Sequence, residues 1–191
     1  MSGRFETVIS AIDAANSDDP ALKHDGNEEM PAALLYGRRM SAELELVDPG
    51  ASELLKVAAR GQHIERWKMP RNSYPEGRTG YLAWRKAQAV FHAQRVGQIM
   101  RDAGYDEADC DRAGTLLRKE GIKRDCEVQM LEDVICLVFL KWYFADFSRE
   151  HSSEKVFRIV QKTARKMSDE VRTRVLREFD LPADLLPALQ A

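Results

Sequence analysis

Residues 129–144 read QMLEDVICLVFLKWYF, and they contain the most hydrophobic segment of the chain. The apolar run within it, VICLVFL at 134–140, is far short of the roughly 20 residues that span a bilayer as a helix. It therefore belongs inside a protein core. Asp133 shares a helical stripe with Met130, Leu137, Leu140 and Phe144, and Glu132 shares one with Val128, Cys136 and Phe139. The spacing predicts a helix over 125–147 that carries at least one carboxylate in or beside the core. Burying a carboxylate without partners is costly, so it must hold a metal, a cation or several donors. The alternative is a helix that begins near Leu131, whose dipole both acids would simply complement from the first turn.

Working outward, the same 3.6-residue periodicity recurs. Phe5, Val8, Ile9, Ile12 and Ala15 predict a helix over 3–15, and residues 16–29, rich in Asn, Asp, Ser, Pro and Gly, read as a loop. Further helices are expected at 31–46 and, behind the N-cap Ser52, at 53–67. The stretch MPRNSYPEGRTG at 69–80 holds two prolines and two glycines and reads as a long irregular loop, placed to act as a lid. Helices at 81–103, 106–119, 154–166 and 168–179 complete the set, with stops at Gly104 and Gly121. No stretch alternates as a strand should. The expectation is all-α: a single helical-bundle domain of about eight helices, with its core over 31–147 and the C-terminal helices of 154–191 packed on it.

At 191 residues, 44% hydrophobic and 31% charged, the chain is long enough to bury a core without disulfides. A net charge of −2 gives no excess of Lys and Arg to neutralise phosphates, which argues against nucleic acid as the main partner. Cys110, Cys126 and Cys136 are odd in number and lack ligand spacing, and Cys136 lies in an apolar run. That usage fits a reducing compartment. With no signal-peptide apolar stretch, the expected location is cytoplasmic.

Two histidines stand out. His63 lies in RGQHIERW with Ala59, Arg60, Arg66 and Trp67 one turn away, and His92 shares a stripe with Gln88, Ala89, Arg95, Val96 and Ile99. Either alone fits a hydrogen-bonded boundary residue. Two imidazoles and the acid at 133, carried by three helices, match the way helical folds assemble a metal site. Basic residues cluster as Arg60 and Arg66 around His63, Arg85 and Arg95 further on, and Arg118, Lys119, Lys123 and Arg124. Most fit a solvated face. Arg60 and Arg66 are the candidates for contacts to an anion, because guanidinium forks match phosphate or carboxylate oxygens.

The segments RFETVISAIDAAN (4–16), LLYGRRM (34–40), AARGQHIERW (58–67), SYPEGRTGYLAWR (73–85), FHA (91–93) and DCEVQMLEDVICLVFL (125–140) resemble the DUF4202 family over nearly the whole chain. That family in turn resembles the HD superfamily of metal-dependent phosphohydrolases, which implies an HD-domain-like helical fold. On that resemblance KVAARGQHIERW stands for the helix carrying the His-Asp pair, His92 for the additional histidine and Asp133 for the distant aspartate. Ile64 replaces the expected Asp, and Tyr36 stands near the place of a first histidine. Glu65 or Glu132 would have to substitute. KMSDE at 166–170 is similar to a synthetase signature, but that signature works on an α/β nucleotide-binding domain that this chain does not predict.

Two functions follow as expectations. The first is a metal-dependent hydrolase in which His63, His92 and Asp133 hold a divalent ion (Mn, Fe, Zn or Mg). Asp133 and Glu132 join His63 at the reacting centre, and Arg60 and Arg66 steady a small anion such as a phosphate ester or nucleotide. Iron-dependent oxygen chemistry is a variant on the same scaffold. The second is a metal-free binding or adaptor domain, in which Glu132 and Asp133 pair with Arg or Tyr side chains and stabilise the fold.

Overall fold

The structure, a computed structural model, describes residues 3–26 and 28–190. It is mainly helical, with a single small two-stranded sheet among the described residues. The chain falls into two compact units, Met1–Glu120 and Gly121–Ala191. Residues 126–147 fall within the second of these units, with the C-terminal helices. No helix among the described residues is long and apolar enough to cross a membrane.

The first unit opens with α1 (Gly3–Ser17), which buries Phe5, Val8 and Ile12. The segment expected to be a loop instead forms a hairpin, β1 (Leu22–Asp25) paired antiparallel with β2 (Glu28–Pro31), with His24 opposite Glu29. None of these strand residues is buried, so no alternation of apolar and polar residues marked them. Gly26, at φ +65, supplies the left-handed backbone at the turn. Buried Asp19 secures the exit, accepting from the backbone N–H of Ala21 and Ala33, each at 2.9 Å.

Next come α2 (Ala32–Val47) and α3 (Glu53–Gly61). Ser52 caps α3 by accepting from the Leu55 N–H at 3.1 Å. Gly37 lets the two helices approach closely, since a Cβ there would lie 2.8 Å from the Arg60 carbonyl oxygen. The helix expected to reach residue 67 stops at Gly61. The reversal is completed at Glu65, which sits in the left-handed region at φ +49, its N–H held by the Asn16 side-chain oxygen at 3.0 Å. A non-glycine residue pays for this conformation with about 1–3 kcal/mol of strain.

The long α4 (Gly77–Asp102) begins four residues earlier than its apolar pattern suggests. Gly77 takes φ +82, and a Cβ on Gly80 would meet the Pro75 carbonyl oxygen at 1.9 Å, so the two glycines of the expected loop build the first turn. After Gly104, α5 (Glu107–Arg118) starts behind Asp106, whose carboxylate accepts from the Asp109 N–H. Leu35, Met40, Leu44, Leu55, Ile64, Met100 and Leu116 are among the largest fully buried side chains of this unit.

The second unit starts with α6 (Cys126–Val138), capped by Asp125, which accepts from the N–H groups of Glu127 and Val128. The helix therefore begins well before Leu131, and Glu132 and Asp133 fall in its second turn. A π-helical segment, Phe139–Tyr143, leads into α7 (Phe144–Glu150). Then follow α8 (Ser153–Ala164), α9 (Asp169–Glu178) and α10 (Leu186–Gln190). Val134, Leu137, Val160, Met167, Val175 and Leu189 lie in the core of this unit.

Candidate functional site

Folding brings His63 and His92 together inside the first unit, with ring centroids 6.1 Å apart. His63 follows α3 in the turn that Glu65 completes, and its ring stacks on Tyr36 of α2 at 3.8 Å and 16°. Tyr36 thus stands beside the imidazole rather than serving as a further nitrogen donor. His92 lies midway along α4 and is only 2% exposed. Its Nε2 is buried with no hydrogen-bond partner among the described residues.

Trp84, Gln88, His92 and Arg95 follow one another at helical spacing along α4, and this stripe faces the chain from Glu65 to Met69. Trp84 donates from Nε1 to the Met69 carbonyl at 2.9 Å. The Gln88 amide donates to the carbonyls of Arg66 at 3.0 Å and Met69 at 2.8 Å. Arg95 donates to the buried Glu65 carboxylate at 2.9 Å, and Lys68 donates to its other oxygen at 2.6 Å. These pairs hold the Glu65 carboxyl below the usual range despite its burial. The same bonds clamp the backbone on both sides of Arg66.

The loop after it is braced as well. Arg71 donates to the carbonyls of Tyr74 and Pro75, each at 2.9 Å, and the Tyr74 hydroxyl reaches the Met69 sulfur at 3.4 Å. Residues 69–75 are therefore cross-tied by their own side chains.

The charges here are unequal in sign. Arg66 lies over the Trp84 ring at 4.5 Å, and Arg85 over the Tyr81 ring at 5.9 Å. Neither guanidinium meets a carboxylate among the described residues. By contrast Arg60, expected to contact substrate, forms a two-point bond to Asp13, with both distances 2.6 Å. Burial is the main force lowering the His63 pKa well below its ordinary value, and Arg66, His92, Lys119 and Arg85 push the same way. Burial, then Arg66 and Lys119, take His92 down to about 3. Both imidazoles are therefore neutral near pH 7, each able to donate at one nitrogen and accept at the other. Arg66 itself is desolvated, which lowers its pKa, and it lies near Arg85. The charges acting on the two imidazoles are thus predominantly positive.

Asp133 and Glu132 belong to the second unit, where both are buried. Asp133 Oδ1 accepts from the Ser168 N–H at 2.7 Å and from the Gln129 amide at 3.0 Å. Glu132 is bonded by Lys166 at 2.8 Å. Burial pushes the Asp133 carboxyl up, and the Ser168 and Gln129 bonds oppose that rise. Their partners thus include a backbone N–H and an amide for Asp133 and a lysine for Glu132.

No group of three or more His, Cys, Asp or Glu side chains among the described residues is placed to hold a metal ion. Two imidazole nitrogens beside unpaired guanidiniums make a poor cradle for a divalent cation and a good one for negative oxygens. The other histidines lie elsewhere. His24 is exposed on the hairpin, and His151 packs edge-on against Phe147 at 4.5 Å. Tyr36, Trp84, Arg85, Gln88 and Lys119 were not expected at the site. For Trp84 and Gln88 the sequence signal was the turn-by-turn repeat 84, 88, 92 along the helix that carries His92, whereas Arg85 and Lys119 had stood only in the basic clusters and Tyr36 only near the place of a first histidine.

No curated protein and no solved structure matches the chain. The model of the family described as "Domain of unknown function (DUF4202)" matches residues 6–188, and the chain belongs to that family.

Proposed function

We propose that the first unit binds a small phosphate-bearing anion, with Arg66 and Arg85 holding its oxygens and His63 exchanging a proton with it. The observation that carries this reading is the contrast among the arginines. Arg60 and Arg95 are matched to Asp13 and Glu65, while Arg66 and Arg85 rest on aromatic rings beside two neutral imidazoles. An anion between the guanidiniums offsets their mutual repulsion and raises the depressed pKa of His63, so binding takes up a proton. His63 is then poised as the acid–base group for a phosphate ester. The free cysteines Cys110, Cys126 and Cys136 support a reducing, cytoplasmic setting for this activity.

Titration calorimetry with inorganic phosphate and propyl phosphate tests the reading. The wild type should bind both, with an enthalpy that depends on the buffer's ionisation heat, and Arg66→Leu/Arg85→Leu should weaken binding by about tenfold or more. No binding by the folded wild type at about 10 mM ligand, weaker than the millimolar affinity worth some 4 kcal/mol, would sink it.

A second reading is an HD-like, metal-dependent phosphohydrolase, or its iron-dependent oxygenase variant. The buried, unpartnered Nε2 of His92 favours it. Elemental analysis of protein purified without chelator or metal-affinity tag separates the two. A stoichiometric divalent metal lost in a folded His63→Ala/His92→Ala variant would replace the metal-free reading.

A further inference from the structure

Gln88 and His92 are one turn apart on the same face of α4, and each is 2% exposed. The Gln88 amide nitrogen has two acceptors, the carbonyls of Arg66 and Met69. That network settles which end of the amide points where, because the reversed amide would set its oxygen against two carbonyl oxygens. Gln88 Oε1 is left as a buried acceptor without a partner among the described residues, and His92 Nε2 is in the same position. Buried polar atoms in native folds are ordinarily satisfied. Two such atoms on residues one helical turn apart, with Gln88 on the Arg66 carbonyl and the Arg66 guanidinium over Trp84, mark a polar subsite adjoining the anion contacts.

We infer that the ligand carries a hydroxyl close to its phosphate, as in a phosphorylated polyol or sugar, and that Gln88 and His92 hold this hydroxyl. A hydroxyl donates and accepts at one oxygen, which is the pairing these two atoms require. Its O–H donates to Gln88 Oε1, and its oxygen accepts from the Nε2–H of His92 in that tautomer. An ionised carboxylate has no proton to give Gln88, and an alkyl chain would leave both atoms unpaired. Sites built to hydrogen-bond a hydroxyl reject the analogue lacking it far more strongly than apolar pockets reject an added one.

This inference rests on the anion reading above, and calorimetry on the full-length chain tests the two separately. The probes are glycerol phosphate, propyl phosphate of the same charge and chain length, and inorganic phosphate. Glycerol phosphate should bind about tenfold or more tighter than propyl phosphate. His92→Leu, checked for folding by thermal melting, should lose that preference while still binding propyl phosphate. Equal affinity of the wild type for the two esters would overturn the hydroxyl subsite and leave the phosphate site standing. Failure of all three probes to bind would overturn both.

Discussion

His92 carries a pH dependence that its burial makes unavoidable. In the unfolded chain its imidazole takes a proton near the ordinary value of about 6.5, whereas in the fold it does so only at about 3. Between those values the unfolded state binds more protons. Stability is therefore fully present above about pH 6.5 and falls as the pH drops, by about 1.4 kcal/mol per unit from this group. His63 acts in the same direction. A His92→Gln variant should show a flatter urea midpoint between pH 6.5 and 4 than the wild type, and an unchanged slope would contradict the burial argument. Gly80 gives a second test at this scale. A methyl group there collides with the Pro75 carbonyl, which is backbone and has little room to move. Gly80→Ala should cost about 1–3 kcal/mol, read as a lowered melting temperature.

At the scale of elements, α6 is tied to the N-terminus of α9. Asp133 accepts from the N–H of Ser168, the residue whose hydroxyl caps α9 by accepting from the Val171 N–H at 3.3 Å. Gln129 donates both to Asp133 and to the Lys166 carbonyl at 2.8 Å, so one turn of α6 holds the whole α8–α9 corner. Asp133→Ala leaves the Ser168 N–H and an amide proton without acceptors and should destabilise the protein by about 1–3 kcal/mol. Phosphate affinity of the folded variant should stay at the wild-type value. A loss of affinity without a loss of stability would instead place Asp133 at the ligand. The presence of a carboxylate in this core was readable from the stripe it shares with Leu137 and Leu140. Its partner was not, because Ser168 lies 35 residues away in a separate helix cap.

For the whole molecule, a ligand that binds only the native state raises its stability, and the proposed site lies entirely in the first unit. Phosphate at about a hundred times its dissociation constant should add some 2.7 kcal/mol to the stability of that unit, seen as a higher melting temperature. Arg66→Leu/Arg85→Leu should abolish the shift. In an NMR titration the perturbed amides should cluster around residues 36, 63–69, 81–92 and 119. Shifts confined to residues 121–191 would refute the location.

What the sequence determined by itself was local. Apolar residues at 3.6-residue spacing specify helices wherever one face is buried, and Ser52, Gly104 and Gly121 mark ends because capping and left-handed backbone are properties of single residues. The hairpin escaped because its strands bury neither face, and the end of α3 escaped because Glu65 turns the chain against its own preference, held there by Asn16. Only the tertiary structure decided which charges would be matched. The pairing of Arg60 with Asp13, the stacking of His63 on Tyr36 and the clamp of Gln88 on two carbonyls all join residues far apart in the chain. Their distances are set by how helices pack, which no periodicity within one helix encodes. The same packing leaves Arg66 and Arg85 on aromatic rings, without a carboxylate among the described residues, in the unit that holds both imidazoles.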